Sequence, residues 1–217
     1  DVTGVQTCAL PIYVARRHPR LGRGESRRER RVDVARHGHE VGALGGEAVA
    51  HFLRRQRVPA IERLRQRARF RHVAQALRDP GNLGTMLRTG DAVGAGGLIL
   101  IDDCADPFSV EAVRASMGAI FTQKVARANW EEFLPWLRGG EGQLVAASLR
   151  DAVPYRGAPY QAPCFILVGN ESQGLPEEYE MACDLRVTMP MKGRADSLNA
   201  AVAGAVLAYE VLAALDN

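Results

Sequence analysis

From His72 onward the chain alternates short, almost wholly apolar runs with stretches of helical spacing, and no other feature restricts the available folds as much. Leu98–Ile101 and Phe165–Val168 contain no polar residue, as expected of strands covered on both faces. Further strands are expected at His72–Leu77, Ile120–Val125, Leu144–Ala147 and Leu185–Met189. Helices are expected over Thr85 to about Val93, from the cap Ser109 to about Met117, over Trp130–Leu137 and Pro176–Ala182, and from Ser197 to about Leu215. Gly94, Gly96 and Gly97 would end the first of these, and Glu111 suits the positive end of the second. Asp79–Gly84 reads as a turn. The expected fold is α/β, a mostly parallel sheet flanked by helices. Ligands bind such sheets beyond the carboxyl ends of the strands, where the loops after Leu77, Val168 and Met189 would lie.

The first third differs in kind. Residues 1–71 carry 17 Arg against 7 acidic residues, a net +10, whereas residues 72–217 carry 11 basic and 18 acidic residues, a net −7. The opening DVTGVQTCALPI has the look of translated adapter sequence, and Arg16 to about Arg36 lacks apolar periodicity. Two readings stand side by side: a basic arm for nucleic acid, or an out-of-frame or truncated remnant. Residues 1–71 are therefore set apart as an Arg-rich region, and 72–217 as the domain. No apolar run reaches the ~18 residues of a membrane span, and no secretory signal is evident. A cytoplasmic protein with free thiols at Cys8, Cys104, Cys164 and Cys183 is expected.

Several signatures fail on context. Gly94-Ala95-Gly96-Gly97 follows a helix and precedes a strand, the reverse of a dinucleotide fingerprint. There is no phosphate-binding Gly-Lys-Ser/Thr loop and no Gly-x-Ser-x-Gly elbow. His37-Gly38-His39-Glu40 lacks zinc-protease spacing, so no metal is expected. Asn170-Glu171-Ser172 fits a glycosylation sequon that is meaningless without a secretory signal.

Three longer segments remain: RDPGNLGTMLRTGDAVGAGGLIL (78–100), FILVGNESQGLP (165–176) and VTMPMKGRADSLNAAVAGAVLAYE (187–210). In order and spacing they resemble the three motifs of the SpoU, or TrmH-like, RNA methyltransferases. That resemblance implies a C-terminal deep trefoil knot, a homodimer, S-adenosylmethionine as cofactor, and methylation of a ribose 2′-hydroxyl in tRNA or rRNA. Ser172 departs mildly from the pattern, since many relatives carry glycine there.

The resemblance also implies site residues, each with a plainer alternative. Arg88 matches the principal catalytic arginine. A guanidinium stays protonated, so clamping an RNA phosphate and stabilising the developing alkoxide suits it better than removing a proton; the plain reading is a surface ion pair. Asn82 would orient the arginine or RNA, or serve only turn chemistry. Glu171 would act as general acid/base or fix the arginine, or be a solvated loop carboxylate. Ser197 and Asn199 would line the active site, while Ser197 or Asp196 would cap the closing helix. Gly169, Met189 and Leu198 would hold the adenosine part of the cofactor through backbone groups, with Gly169 allowing close approach; core packing is the alternative for the other two. Besides an active ribose methyltransferase, a non-catalytic RNA-binding module on the same fold and a methyltransferase acting on a base nitrogen stay open.

Overall fold

The structure is a computed structural model of the chain, and it describes residues 61–64, 68–170 and 172–216. Seven strands form one sheet: β1 (Phe70–Gln75), β2 (Leu98–Ile101), β3 (Val125–Ala128), β4 (Gln143–Ala147), β5 (Val153–Pro154), β6 (Cys164–Val168) and β7 (Leu185–Thr188). Their order is β3-β2-β1-β6-β4-β7-β5, and every pairing is parallel. At its centre β1 lies beside β6, with Phe70 opposite Cys164 and Ala74 opposite Val168. The helices are α1 (Pro80–Ala92), α2 (Val110–Ala115), α3 (Trp130–Arg138), α4 (Glu177–Met181) and α5 (Ala200–Asp216).

The apolar strands are explained by burial on both sides. In β6, Cys164, Ile166 and Val168 enter one core with Leu83, Met86 and Leu87 of α1 and Leu207 and Val211 of α5. Phe165 and Leu167 point the other way, into a second core with Trp130, Phe133 and Trp136 of α3. Alternate residues of one strand thus serve two cores. Ile61 and Leu64, in a 3-10 turn, also join the second core. Among the described residues no helix is long and apolar enough to cross a membrane.

Three boundaries differ from expectation. α1 begins at Pro80, not Thr85, because Asp79 caps it: its Oδ1 accepts from Asn82 N at 2.7 Å, and proline fits the first turn. Asn82 is therefore helical rather than part of a turn. Gly84, which suggested a turn, instead permits close packing: a Cβ there would fall 2.3 Å from Ala112 O and 2.6 Å from Ala115 Cβ in α2. Ile120 lies in a 3-10 turn (Ala119–Phe121), and the strand begins only at Val125; a short buried apolar run does not declare its own conformation. α5 starts at Ala200, not Ser197. β5 was not expected. The other elements fall within a few residues of their expected bounds, with Ser109 capping α2 through a bond from Ala112 N.

Beneath α5 lies His72, fully buried, with Nε2 3.3 Å from Gly204 O. Burial holds its pKa down at about 4, so the ring is neutral at physiological pH.

Candidate functional site

A hollow of about 420 Å³ opens beyond the carboxyl ends of β4, β6 and β7. Its walls are Ser148–Arg150 after β4, Gly169, Asn170 and Ser172–Leu175 after β6, Met189 after β7, and Ser197 and Leu198 leading into α5. The size falls within the range of small-molecule sites.

Part of this wall is a tight loop whose path has local causes. Gly169 lies against the return of its own loop: a Cβ would fall 2.6 Å from Gly174 C and 2.7 Å from Leu175 N. Its bareness thus serves loop closure first. Gly174 has φ +69°, a conformation that favours glycine. Asn170 organises the turn between them. Its Oδ1 accepts from Ser172 N (2.9 Å), Ser172 Oγ (2.8 Å) and Gln173 N (3.2 Å), while its Nδ2 donates to Ala76 O at 2.8 Å, tying the loop to the end of β1. Sequence reading dismissed this asparagine with the glycosylation sequon; its signal was that of a residue able to bond its own backbone two positions on. Leu198 is 39% exposed at the hollow, which excludes ordinary core packing. Met189 both lines the hollow and packs against the α1-side core.

At the edge towards α1 the material changes to side chains. Asn199, rather than Ser197 or Asp196, caps α5: its Oδ1 accepts from Ala201 N (3.0 Å) and Val202 N (3.2 Å). Its Nδ2 donates to Asn82 Oδ1 at 2.8 Å, joining the first turns of α1 and α5 across 117 residues of chain. A cap needs a short polar side chain, and Ser197 and Asp196 offered one; Asn199 prevails because the helix begins only at Ala200, after Asp196, Ser197 and Leu198 have lined the hollow. Arg88 lies six residues beyond Asn82 on α1, about 9 Å along the axis at helical rise. It is exposed, and no ion pair engages it among the described residues. Glu171 lies outside the described residues.

None of the described cysteines lines the hollow. Burial pushes the Cys164 and Cys183 thiols up to about 12 and raises that of Cys104. Among the described residues no group of three or more His, Cys, Asp or Glu gathers as metal ligands do.

The SpoU rRNA Methylase family model matches residues 69–209, the span that holds β1, the hollow and the Asn82–Asn199 contact. The chain belongs to this family. Among its relatives, the 23S rRNA (guanosine(2553)-2′-O)-methyltransferase RlmP of Bacillus subtilis (strain 168) is 36% identical over 136 residues, covering 63% of this chain and 55% of that protein. The 23S rRNA (uridine(2479)-2′-O)-methyltransferase of Streptomyces viridochromogenes is 33% identical over 139 residues, covering 61% and 48%. The crystal structure of an AdoMet-bound rRNA methyltransferase from Sinorhizobium meliloti aligns with a TM-score of 0.67 at 44% identity, over 69% of this chain and 58% of that one. The chain spans about half the length of the curated relatives it matches.

This SpoU domain also carries a polar wall that sequence reading missed. On the far side of the hollow from α1, Ser148 Oγ donates to Glu180 Oε1 at 2.7 Å and accepts from Arg150 N at 3.0 Å. Glu180 is 7% exposed although it stands on a short surface helix. Its neighbour Tyr179 fixes that helix, stacking on Trp130 (3.8 Å between ring centroids) and donating its hydroxyl to Asp102 Oδ2 at 3.0 Å. Nothing in the spacing of Ser148 and Glu180, 32 residues apart, foretold their contact.

Proposed function

We propose that the chain transfers a methyl group from S-adenosylmethionine to a ribose 2′-hydroxyl of tRNA or rRNA. The observation that carries this reading is the Asn82–Asn199 hydrogen bond, which ties the first turn of α1 to the residue between Leu198 and Ala200 on the wall of a hollow that Gly169 and Met189 also bound. The names of the relatives as 2′-O-methyltransferases, and the AdoMet-bound neighbour, support it.

The residues present suit the cofactor. A nucleoside needs main-chain donors and acceptors beside apolar walls, and the Gly169–Leu175 turn, Met189 and Leu198 supply both kinds of surface. When bound, S-adenosylmethionine supplies a methyl group already activated by its sulfonium charge. The protein's task is therefore alignment and charge management. Arg88, permanently cationic, clamps the phosphate next to the target ribose and stabilises charge developing on the 2′-oxygen. Asn82 orients this edge, and its own amide is oriented by Asn199, whose carbonyl oxygen is anchored on α5. Ser197 lines the approach to the hollow. Glu171, the neighbour of Asn170, takes the proton or fixes the arginine, a role resting on its motif alone.

Two further parts of the reading concern architecture. The segment between β7 and α5 is threaded as a deep trefoil knot; in support, β7 lies outside β4 in the sheet, while α5 packs back on β6, β1 and α1, so the chain must return across the hollow. The chain acts as a homodimer; in support, α5 leaves Val202 and Tyr209 exposed within one copy.

Incubation with RNA and methyl-labelled S-adenosylmethionine, followed by nucleoside mass spectrometry, tests the reading. Label on ribose is expected. Label on a base nitrogen would transfer the chemistry to another acceptor, and binding without any label would leave an RNA-binding module.

A further inference from the structure

The wall formed by Ser148, Arg150 and Glu180 takes no part in the chemistry above. Glu180 is more than nine-tenths buried, lines the hollow, and has one oxygen, Oε2, with no hydrogen-bond donor. Ser148 cannot supply one, since its single hydroxyl hydrogen goes to Oε1. Arg150 Nε stands 3.5 Å from Oε2, within ion-pairing range but without hydrogen-bond geometry, while its NH1 holds Glu177 Oε2 at 2.9 Å. The guanidinium is largely exposed and can stay with Glu177 when another donor reaches Glu180. An orphan acceptor kept in a ligand-sized hollow marks a place for a ligand donor.

The sheet order indicates which part of the cofactor arrives there. Asn82 and Asn199 meet on the α1 side of the hollow, where the proposed function has the reacting methyl group face the RNA. Ser148 follows β4 and Glu180 precedes β7, so their wall lies at the opposite end of the hollow. A cofactor held by Gly169, Met189 and Leu198 with its sulfur towards Arg88 turns its base towards Glu180.

We propose that Glu180, steadied by Ser148, accepts a hydrogen bond from the 6-amino group of the cofactor's adenine and selects adenine over 6-oxo purines. A carboxylate only accepts, the exocyclic amine only donates, and a 6-oxo group would set lone pairs against lone pairs. This inference rests on the reading of the hollow as the S-adenosylmethionine site.

Calorimetric titration of the full chain with S-adenosylhomocysteine and with its 6-oxo counterpart, S-inosylhomocysteine, tests it. The wild type is expected to prefer the amino compound by about 10- to 100-fold. In Glu180→Gln the side-chain amide donates to either purine oxygen or solvent, and the preference is expected to shrink by about tenfold. Glu180→Asp, which keeps the charge but draws it back by one methylene, is expected to weaken S-adenosylhomocysteine alone. Equal affinity of the wild type for both compounds overturns the inference and leaves the cofactor site standing. Equal weakening of both compounds in either variant reduces Glu180 to a structural pin and overturns it too. No heat with either compound removes the cofactor site itself.

Discussion

One side of the hollow is a loop whose backbone path is set by glycines and by Asn170, whereas the edge facing α1 is held by a contact between two side chains. Gly169, Gly174 and Asn170 set the path of this turn: a Cβ on Gly169 would meet the returning backbone, and Asn170 takes the amides of Ser172, Gln173 and Gly174. Such a surface tolerates side-chain change as long as the backbone path survives. At the other edge, position depends on particular functional groups: the amide of Asn199 is engaged at both ends, and Arg88 stands with its charge uncommitted among the described residues. Under the proposed function, binding falls to the first region and chemistry to the second, and substitutions should separate the two.

The largest effect is expected at Arg88. Arg88→Ala should reduce methyl transfer to RNA by about 10²- to 10³-fold while calorimetric affinity for S-adenosylmethionine stays unchanged; wild-type turnover would remove the division of labour. Next comes a change that affects both regions together, because α5 joins them. With His72 held at about 4 in the folded chain and near 6.5 when unfolded, acid protonates the unfolded form first. Stability contributed by the neutral ring is complete above about pH 6.5 and declines towards pH 4, by about 3 kcal/mol. Denaturant titrations across that window should show the decline, and His72→Gln should flatten it; identical slopes in both proteins would remove the histidine from the account.

Gly169→Ala strikes the main-chain side, where the new Cβ meets backbone rather than a yielding side chain. It should cost about 1–3 kcal/mol in cofactor affinity or folding stability, seen by calorimetry and thermal melting, and leave Arg88-dependent chemistry intact in the bound fraction. Asn199 separates two duties of one residue. Asn199→Ala should lower stability by about 1 kcal/mol through loss of the cap. Asn199→Ser keeps a capping oxygen but is too short for Asn82, so it should melt like the wild type and turn over more slowly. The smallest effect belongs to Leu198→Ala, which keeps the backbone and trims an exposed wall; a loss of at most about 1 kcal/mol in cofactor affinity is expected. A larger loss would show that side chains carry the binding after all.

The fold was legible where one physical cause dominated. Leu98–Ile101 and Phe165–Val168 are read correctly because their runs of bulky apolar residues end at once in Asp102 and Gly169, too short for a helix and suited to a strand covered on both faces, and Ser109 is read correctly because a capping hydroxyl acts locally. Gly84 misled because glycine marks both turns and close helix contacts, and only the position of α2 decides between them. Ile120 misled because burial without pairing leaves the same apolar signature as a strand. Of the residues expected from the motifs, Gly169, Met189, Ser197 and Leu198 line the hollow, while the Asn82–Asn199 bond, the Asn170 turn and the Ser148–Glu180 wall depend on strand order, which no local pattern encodes.

The central claim is one of direction: the cofactor lies on main chain with its sulfur towards α1. A crystal structure of the full chain with S-adenosylhomocysteine bound tests it most directly. The account predicts adenosine against the backbone of Gly169, Met189 and Leu198, the sulfur facing Asn82, Asn199 and Arg88, and the base facing Glu180. A ligand outside the hollow, or one whose sulfur faces Ser148 and Glu180, would contradict it.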